Sequence, residues 1–317
     1  MWLRDGRCSR DYERGMSLTL SVPATTANLG PGYDVLGMAL SVRNAFRFEE
    51  ADTFQAGGIP VSPTEHLALA TAVRAASHFG GQLPPLAISW REAVPRSRGM
   101  GSSATVRVAG LAAALHFTGI EIPLRDQLTF LSREEGHPDN VVPARVGGLT
   151  LSASVEGEIV HRRFDPPQLS VALCIPDHEV ETAAARAILP ETVPHHDAVF
   201  TVSRIAFLIA GLVSGDADAV SRGLADRLHQ PYRKTLIGPV DAVFDAAVRA
   251  GALGAFISGS GSTLAALVGE GDPAAVAKAM AGVFQGEGIP CRAQVVTPAM
   301  DGLRILADLD QADLGRP

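Results

Sequence analysis

Residues 95–116 constrain this chain most, because they combine a turn of small residues with the start of a long helix. They read PRSRGMGSSATVRVAGLAAALH. Gly99 and Gly101 permit positive φ and a close approach of the backbone to a ligand. The hydroxyls of Ser102 and Ser103 lie where the first N–H groups of a helix have no partner, and the helix dipole favours an anion there. The stretch predicts a phosphate site. An ordinary glycine-rich turn capped by serine has the same residue pattern.

The helix that follows is expected to be anchored in a core. Apolar side chains recur along it at helical spacing, at Ala104, Val108, Leu111 and Leu115. A Walker A loop is excluded, because the sequence has no G-x-x-x-x-G-K-S/T motif and its only lysines are Lys234 and Lys278. The charge of a phosphate must therefore be balanced by backbone donors, arginine and a metal.

Two further loops carry polar and small residues. Residues 22–37, VPATTANLGPGYDVLG, form a strand end followed by a loop that can aim a carboxylate and an amide at a small polar substrate. Residues 254–267, GAFISGSGSTLAAL, place a glycine- and serine-rich loop between two apolar runs. Glycines in such a loop allow it to pack tightly against another backbone.

In their residues and in their order along the chain, these three segments resemble the three motifs of the GHMP small-molecule kinases. Residues 135–148, EGHPDNVVPARVGG, add a resemblance to the homoserine kinases within that family. The similarity runs from about Leu18 to Val296. It implies an α+β chain with a ribosomal-protein-S5-like N-terminal domain over 16–160, which binds ATP, and a ferredoxin-like C-terminal domain over 161–317. The active site is expected between them.

The resemblance implies an ATP- and Mg²⁺-dependent enzyme that phosphorylates the hydroxyl of L-homoserine, a step of threonine biosynthesis. Two alternatives stay open on the sequence alone. One is a GHMP kinase acting on another small hydroxy-amino acid or alcohol. The other is a non-catalytic GHMP-fold binding protein that keeps the packing glycines and has lost the metal site.

The resemblance also carries over residue by residue. ATP is expected at Arg98, Gly99, Met100, Gly101, Ser102, Ser103 and His66. Mg²⁺ is expected at Ser103 and Glu134. The substrate is expected at Asn28, Asp34, His137, Asp139, Arg186 and Arg233. Catalytic roles are expected for Asp139, Asn140 and Arg186, with Asp139 and Asn140 either taking the proton or only orienting the hydroxyl.

The substrate residues have the chemistry that an amino acid requires. Its carboxylate needs a fixed cation, and the planar fork of arginine binds both carboxylate oxygens. Each candidate also has an ordinary structural role. Arg186 and Arg233 would be solvated helix arginines, His137 would satisfy a carbonyl at a helix end, and Asp139 would form a turn.

Three positions depart from the family pattern. Arg133 stands four residues before His137, where homoserine kinases usually carry a magnesium-binding glutamate, so the adjacent Glu134 is expected to replace it. His66 stands where an asparagine often meets the adenine. Ser262 stands where proline is usual in the third motif.

Composition limits the partners and the compartment. A net charge of −7 with 19% charged residues argues against nucleic-acid binding. Cys8, Cys174 and Cys291 lack C-x-x-C spacing, which favours a reducing cytoplasm without a disulfide framework or zinc site. The longest apolar stretch, near 205–213, is shorter than the ~20 residues of a membrane span. A homodimer is the candidate assembly.

Hydrophobic patterning predicts the order of the elements. Strands are expected at 17–22, 42–49, 86–90, 148–155, 170–175, 253–258, 264–268 and 291–296. Helices are expected at 64–79, 102–117, 123–135, 178–188, 197–213, 217–229, 239–250 and 273–285. The domain boundary is expected near 156–168, a stretch that contains Gly157, Pro166 and Pro167. Residues 1–15 are expected to form a disordered extension before an alternative start at Met16.

Overall fold

The computed structural model describes residues 17–306, so the extension expected at 1–15 lies outside the described residues. Eight strands form the first sheet, in the order β12-β1-β2-β5-β3-β4, with β6 paired to β2 and β7 paired to β6. The strands are β1 (Ser17–Ala27), β2 (Leu36–Glu50), β3 (Gln55–Ala56), β4 (Ile59–Pro60), β5 (Leu86–Arg91), β6 (Leu149–Val155), β7 (Glu158–Phe164) and β12 (Arg304–Leu306). Every pair is antiparallel except β3 with β5.

Four helices accompany this sheet and bury their apolar faces in one core. They are α1 (Leu67–Phe79), α2 (Ser102–Thr118), α3 (Leu124–Glu135) and α4 (Pro138–Val146). Helices α1 and α2 approach closely at Gly110, where an added Cβ would lie 2.4 Å from the carbonyl oxygen of Ala68. Helix α2 is therefore fixed along its length, and its first turn is held rigidly.

The second sheet has four antiparallel strands in the order β11-β8-β10-β9. The strands are β8 (Ser170–Pro176), β9 (Gly254–Ile257), β10 (Leu264–Val268) and β11 (Cys291–Val296). The helices of this half are α5 (Thr182–Ala187), α6 (His195–Ser214), α7 (Ala217–Gly223), α8 (Gln230–Arg233), α9 (Val240–Arg249) and α10 (Pro273–Gly286). Numbered within this half, the strand order is 4-1-3-2 with a helix in each crossover, which is the ferredoxin-like arrangement expected from the sequence.

The two sheets share a core that holds them together. One face of the second sheet packs against α9 and α10. Its other face packs against side chains of the first sheet, such as Leu40 and Leu149, and against Leu208 and Leu212 of α6. Loops between the sheets are therefore supported from both sides.

Most of the expected elements are present, and the α+β class is confirmed. In the region expected to hold the domain boundary, 156–168, β7 runs from Glu158 to Phe164 and pairs with β6. The expected boundary at 160/161 falls inside this strand, and β12 returns to pair with β1. The helix expected at 217–229 ends at Gly223, and the helix expected at 178–188 is shorter. Helix α4 follows α3 without having been predicted.

Helix α6 extends beyond the apolar stretch near 205–213 at both ends. Within residues 17–306, α6 is the one helix that is long and apolar enough to cross a membrane, judged by length and composition alone. Its most apolar 18-residue segment has a mean hydropathy of 1.6, and 22% of that segment is buried.

Candidate active site

The three loops singled out in the sequence meet between the two sheets. The N–H of Thr25 donates to the carbonyl of Met100 at 3.1 Å, and the N–H of Thr263 donates to the carbonyl of Arg98 at 3.2 Å. Together they enclose a cavity of about 140 Å³. Its lining includes Asn28, Asp34, Arg98, Gly99, Met100, Gly101, Ser102, Ser103, His137, Asp139, Asn140, Arg186 and Arg233. The structure thus brings together every expected site residue except His66 and Glu134.

The glycine-rich loop reaches the start of α2 only with glycine at two positions. Gly99 and Gly101 have φ of +71° and +67°. An added Cβ would lie 2.1 Å from the carbonyl oxygen of Ser258 at Gly99, and 1.9 Å from Thr25 Oγ1 at Gly101. Ser102 begins α2, so the unpaired N–H groups of its first turn face the cavity. The loop has the geometry of an anion site.

A carboxylate lies beside this helix start, and it belongs to Glu135. The hydroxyl of Ser103 donates to Glu135 Oε2 at 2.8 Å, and Arg107 also donates to that oxygen. Glu135 lines the cavity. Glu135, the residue after Glu134, therefore places carboxylate oxygens beside the start of α2.

Glu134, at which Mg²⁺ was expected, does not line this cavity. Both carboxylates approach Arg107 of α2, with Glu134 Oε2 3.9 Å from its Nη1, but only Glu135 contacts Ser103. Glu134 pairs with Arg74 of α1 instead. Arg133 donates to the carbonyl of Gly157 at 3.0 Å, in the turn between β6 and β7. The arginine that departs from the family pattern is thus directed away from the cavity.

His66 lies in an adjoining cavity of about 400 Å³ that shares Ser102 and Ser103 with the first. Its ring lies against Trp90, with ring centroids 4.9 Å apart. Burial, with the nearby charge of Arg96, lowers the pKa of His66, and its Nδ1 is buried without a hydrogen-bond partner in the described part of the chain. This aromatic surface beside the anion site suits a nucleobase.

At the other end of the first cavity, Asp34 and Arg186 form an ion pair with two bonds, of 2.7 and 2.9 Å. Arg186 also donates to the hydroxyl of Tyr33 at 2.9 Å. Burial alone would lower the pKa of Arg186, but the hydrogen bond and charge of Asp34 outweigh it and raise that pKa. Arg186 is therefore a cation fixed in place by Asp34, and it is not a freely solvated arginine.

Arg233 and Asn28 converge on one backbone oxygen. Both donate to the carbonyl of Gly259, at 3.1 and 2.9 Å. Asn28 Oδ1 accepts the N–H of Asp34 at 3.0 Å, and Asn28 and Asp34 have φ of +70° and +58°, a region that asparagine and aspartate tolerate best among residues with a Cβ. Asn28 thus fixes the turn that presents the Asp34 carboxylate.

His137, Asp139 and Asn140 occupy the start of α4. His137 Nδ1 bonds to Asp139 Oδ1, and the amide of Asn140 donates to the same oxygen at 3.3 Å. Burial would lower the pKa of His137, but Asp139, with the charge of Glu135, raises it. Ligand atoms of Asp34, His137 and Asp139 all lie within 4.8 Å of one another on this wall of the cavity.

Sequence reasoning missed three residues at the site: Glu135, Trp90 and Tyr33. The helical phase of α3 relative to α2 decides between Glu135 and Glu134, and this needs the packing of both helices. Tyr33 lies inside the first motif, with its ring centroid 4.9 Å from the Arg233 guanidinium. Its neighbour Asp34 was the sequence signal that could have found it. Ser262 donates to the carbonyl of His178 at 2.6 Å and has a structural role.

Comparison with known proteins agrees with this geometry. The N-terminal domain of GHMP kinases matches residues 66–148, and the C-terminal domain of GHMP kinases matches residues 208–286. Fold and site thus define a GHMP kinase. Homoserine kinase of Gloeobacter violaceus is 42% identical over 284 residues, which span 86% of this chain and 95% of that relative. Homoserine kinase of Moorella thermoacetica is 37% identical over 90% of this chain and 98% of its own length.

A solved structure of homoserine kinase from Cytophaga hutchinsonii superposes with a TM-score of 0.82 at 28% identity, covering 96% of this chain and all of that one. A mevalonate kinase of L. major, at 16% identity and a TM-score of 0.65, shares the fold alone. The chain therefore belongs to the homoserine kinase family.

Proposed function

We propose that this chain transfers the γ-phosphoryl group of ATP to the hydroxyl of L-homoserine, giving O-phospho-L-homoserine and ADP. One observation carries the substrate assignment. A carboxylate and two arginines, Asp34, Arg186 and Arg233, line the same cavity as the glycine-rich start of α2. A substrate with an ammonium, a carboxylate and a hydroxyl matches these groups, whereas a neutral alcohol offers no charged group to any of the three.

The charged end of the amino acid is bound by exchange of partners. Asp34 and Arg186 bind each other in the structure. The substrate ammonium binds Asp34, and the substrate carboxylate binds Arg186 together with Arg233. Each new bond is charge-assisted, so the exchange restores what it breaks and adds the bonds of Arg233.

The residues present fit Mg-ATP. The space at Gly99 and Gly101 that a Cβ would fill leaves room for phosphate oxygens against the backbone, and Ser103 with Glu135 offers oxygen donors of the kind that Mg²⁺ prefers. We assign Ser103 and Glu135 as the residues that hold Mg²⁺. The bound ion neutralises phosphate charge during transfer. His66 and Trp90 receive the adenine, and Arg98 lies beside the phosphates.

Asp139 acts by orientation. Its Oδ1 accepts bonds from both His137 and Asn140, and its side chain is 2% exposed. A carboxylate held in this way fixes its two neighbours, which position the substrate hydroxyl in line with the phosphate. Phosphoryl transfer depends chiefly on such positioning and charge neutralisation.

Substrate panels test this function. Purified protein is incubated with Mg-ATP and, separately, L-homoserine, L-threonine, L-serine, mevalonate or galactose, and ADP release is followed. We expect kcat/KM to be highest for L-homoserine, with a product of the mass of O-phosphohomoserine. Preference for a sugar or mevalonate contradicts the proposal, and absence of turnover on every compound favours the non-catalytic alternative.

We also propose a homodimer that meets through α6. Large apolar side chains of this helix are exposed by 50 to 66%: Val199, Val202, Phe207 and Val213. A two-fold axis beside the helix places this stripe against its own copy. Light scattering is expected to show a dimer that Val202→Glu dissociates. Val248→Glu, at an exposed apolar position of α9, is the matched control. A monomeric wild type contradicts this assembly.

The proposed location is the cytoplasm. The three cysteines lack C-x-x-C spacing, which favours a reducing compartment. Recovery of the protein in the soluble cell fraction tests the location, and recovery with membranes points instead to a lipid partner for α6.

A further inference from the structure

His229 is a fully buried residue that has no place in the chemistry described above. It precedes α8, which carries Arg233. Its Nε2 lies 2.7 Å from the carbonyl oxygen of Gly30, and its Nδ1 lies 3.5 Å from Nη1 of Arg233. One imidazole therefore contacts both the loop of the first motif and the buried substrate arginine.

The two partners fix the tautomer of this ring. Arginine can only donate, so Nδ1 of His229 is the acceptor and carries no proton. The carbonyl of Gly30 can only accept, so Nε2 carries the proton and donates. Burial, with the charge of Arg233, lowers the pKa of His229 despite Asp226, 3.6 Å away, and this favours the neutral ring.

The segment around His229 is held in place by its own polar contacts. The carboxylate of Asp226 accepts the N–H groups of Leu228, His229 and Gln230, at 2.8 to 2.9 Å. The ring of Tyr33 lies against the imidazole, with centroids 5.1 Å apart. The imidazole has little freedom to move away from either partner.

We propose that His229 is a positioning residue that sets the separation between the Asp34 loop and the Arg233 guanidinium, and so selects an α-amino acid as substrate. The inference rests on the proposed function. Gly30 belongs to the turn that presents Asp34, whereas Arg233 approaches from the other half of the molecule. The imidazole joins the two, behind the cavity and without lining it.

The remaining bonds of Arg233 explain why one further contact matters. Its Nε donates to the carbonyl of Ala185 and its Nη1 to the carbonyl of Gly259, both at 3.1 Å. In the described part of the chain Nη2 has no hydrogen-bond partner, and Arg233 lines the cavity. The guanidinium of this cavity residue is thus oriented through the bonds of its Nε and Nη1.

Two substitutions of His229 test the two hydrogen bonds of its imidazole independently. The amide of asparagine reaches about as far as Nδ1, and that of glutamine about as far as Nε2. His229→Asn therefore keeps an acceptor for Arg233, whereas His229→Gln keeps a donor to Gly30. We expect His229→Gln to raise KM for L-homoserine by about tenfold, with KM for ATP changed less than about twofold, because the lost bond involves a charged group. His229→Asn is expected to raise KM for L-homoserine less.

A double-mutant cycle with Arg233→Met supplies a readout that a merely structural role does not move. If His229 acts through Arg233, adding His229→Gln to Arg233→Met raises KM for L-homoserine by no more than about twofold further. His178→Gln, at a histidine that contacts the carbonyl of Leu236, is the matched control and is expected to leave both KM values unchanged. Effects of His229→Gln and Arg233→Met that multiply overturn the proposal.

The remaining outcomes are also decisive. Equal rises in both KM values for His229→Gln, or an unchanged KM for L-homoserine, overturn the role of His229 while leaving the proposed function standing. A wild type that does not phosphorylate L-homoserine overturns both. His229→Asn keeps the proposal testable if His229→Gln does not fold.

Discussion

The carboxylate of Asp34 and the guanidinium of Arg186 face each other across the cavity and form an ion pair with both oxygens engaged. Each side chain is about one-third exposed, at 31% and 36%. The pair is open enough for an incoming zwitterion to exchange partners with it.

Asp34→Asn tests the ammonium assignment. The substitution keeps the shape of the side chain and removes its charge, so KM for L-homoserine is expected to rise roughly 10- to 150-fold, as for a lost charge-assisted hydrogen bond of about 1.5–3 kcal/mol. KM for ATP is expected to stay unchanged in steady-state assays. Asp218→Asn, at an exposed ion pair of α7, is the control. A rise confined to KM for ATP refutes the assignment.

Gly101→Ala tests the glycine-rich loop. Its Cβ would lie 1.9 Å from Thr25 Oγ1 and 3.1 Å from Asn140 Oδ1, at a φ of +67°. We expect about 1–3 kcal/mol of lost stability in denaturant unfolding, together with a raised KM for ATP. Gly80→Ala has a φ of +79° and no clashing neighbour in the described residues, so it should cost stability alone. Identical behaviour of the two variants contradicts a nucleotide role for the loop.

Glu135→Gln and Glu134→Gln form a matched pair for the metal. Mg²⁺ binds carboxylate oxygens, and only Glu135 contacts Ser103. In a magnesium titration, Glu135→Gln is expected to raise the concentration needed for half-maximal activity and to lower kcat at least tenfold. Glu134→Gln removes a bond to Arg74 and should behave as wild type. The reverse order restores Glu134 as the ligand.

Buried neutral histidine makes stability depend on pH. The pKa of His229 is lowered below its ordinary value of 6.5, so the unfolded chain binds the proton more readily than the folded one. Its contribution is present above pH 6.5 and is lost as the pH falls toward the folded-state pKa. Melting temperatures between pH 7.5 and about 5 should therefore fall less steeply for His229→Asn than for wild type. Parallel curves contradict a neutral buried ring.

The sequence predicted the fold class and the three loops because the local residue pattern determines them. Glycines at positions of positive φ and the apolar periodicity of α2 are visible without neighbours. Glu135 was missed because the choice between two adjacent glutamates depends on how α3 packs against α2. His229 was missed because a lone histidine gains meaning only when the fold brings Gly30 and Arg233 to its two nitrogens.

Two truncated substrates test the central claim most directly. 3-Amino-1-propanol lacks the carboxylate of homoserine, and 4-hydroxybutanoate lacks its ammonium, while both keep the reacting hydroxyl. With Mg-ATP, we expect kcat/KM for L-homoserine to exceed that for each analogue by at least about tenfold, because each analogue leaves a charged group of the site without its partner. Comparable kcat/KM values for all three compounds contradict recognition of an amino acid by Asp34, Arg186 and Arg233.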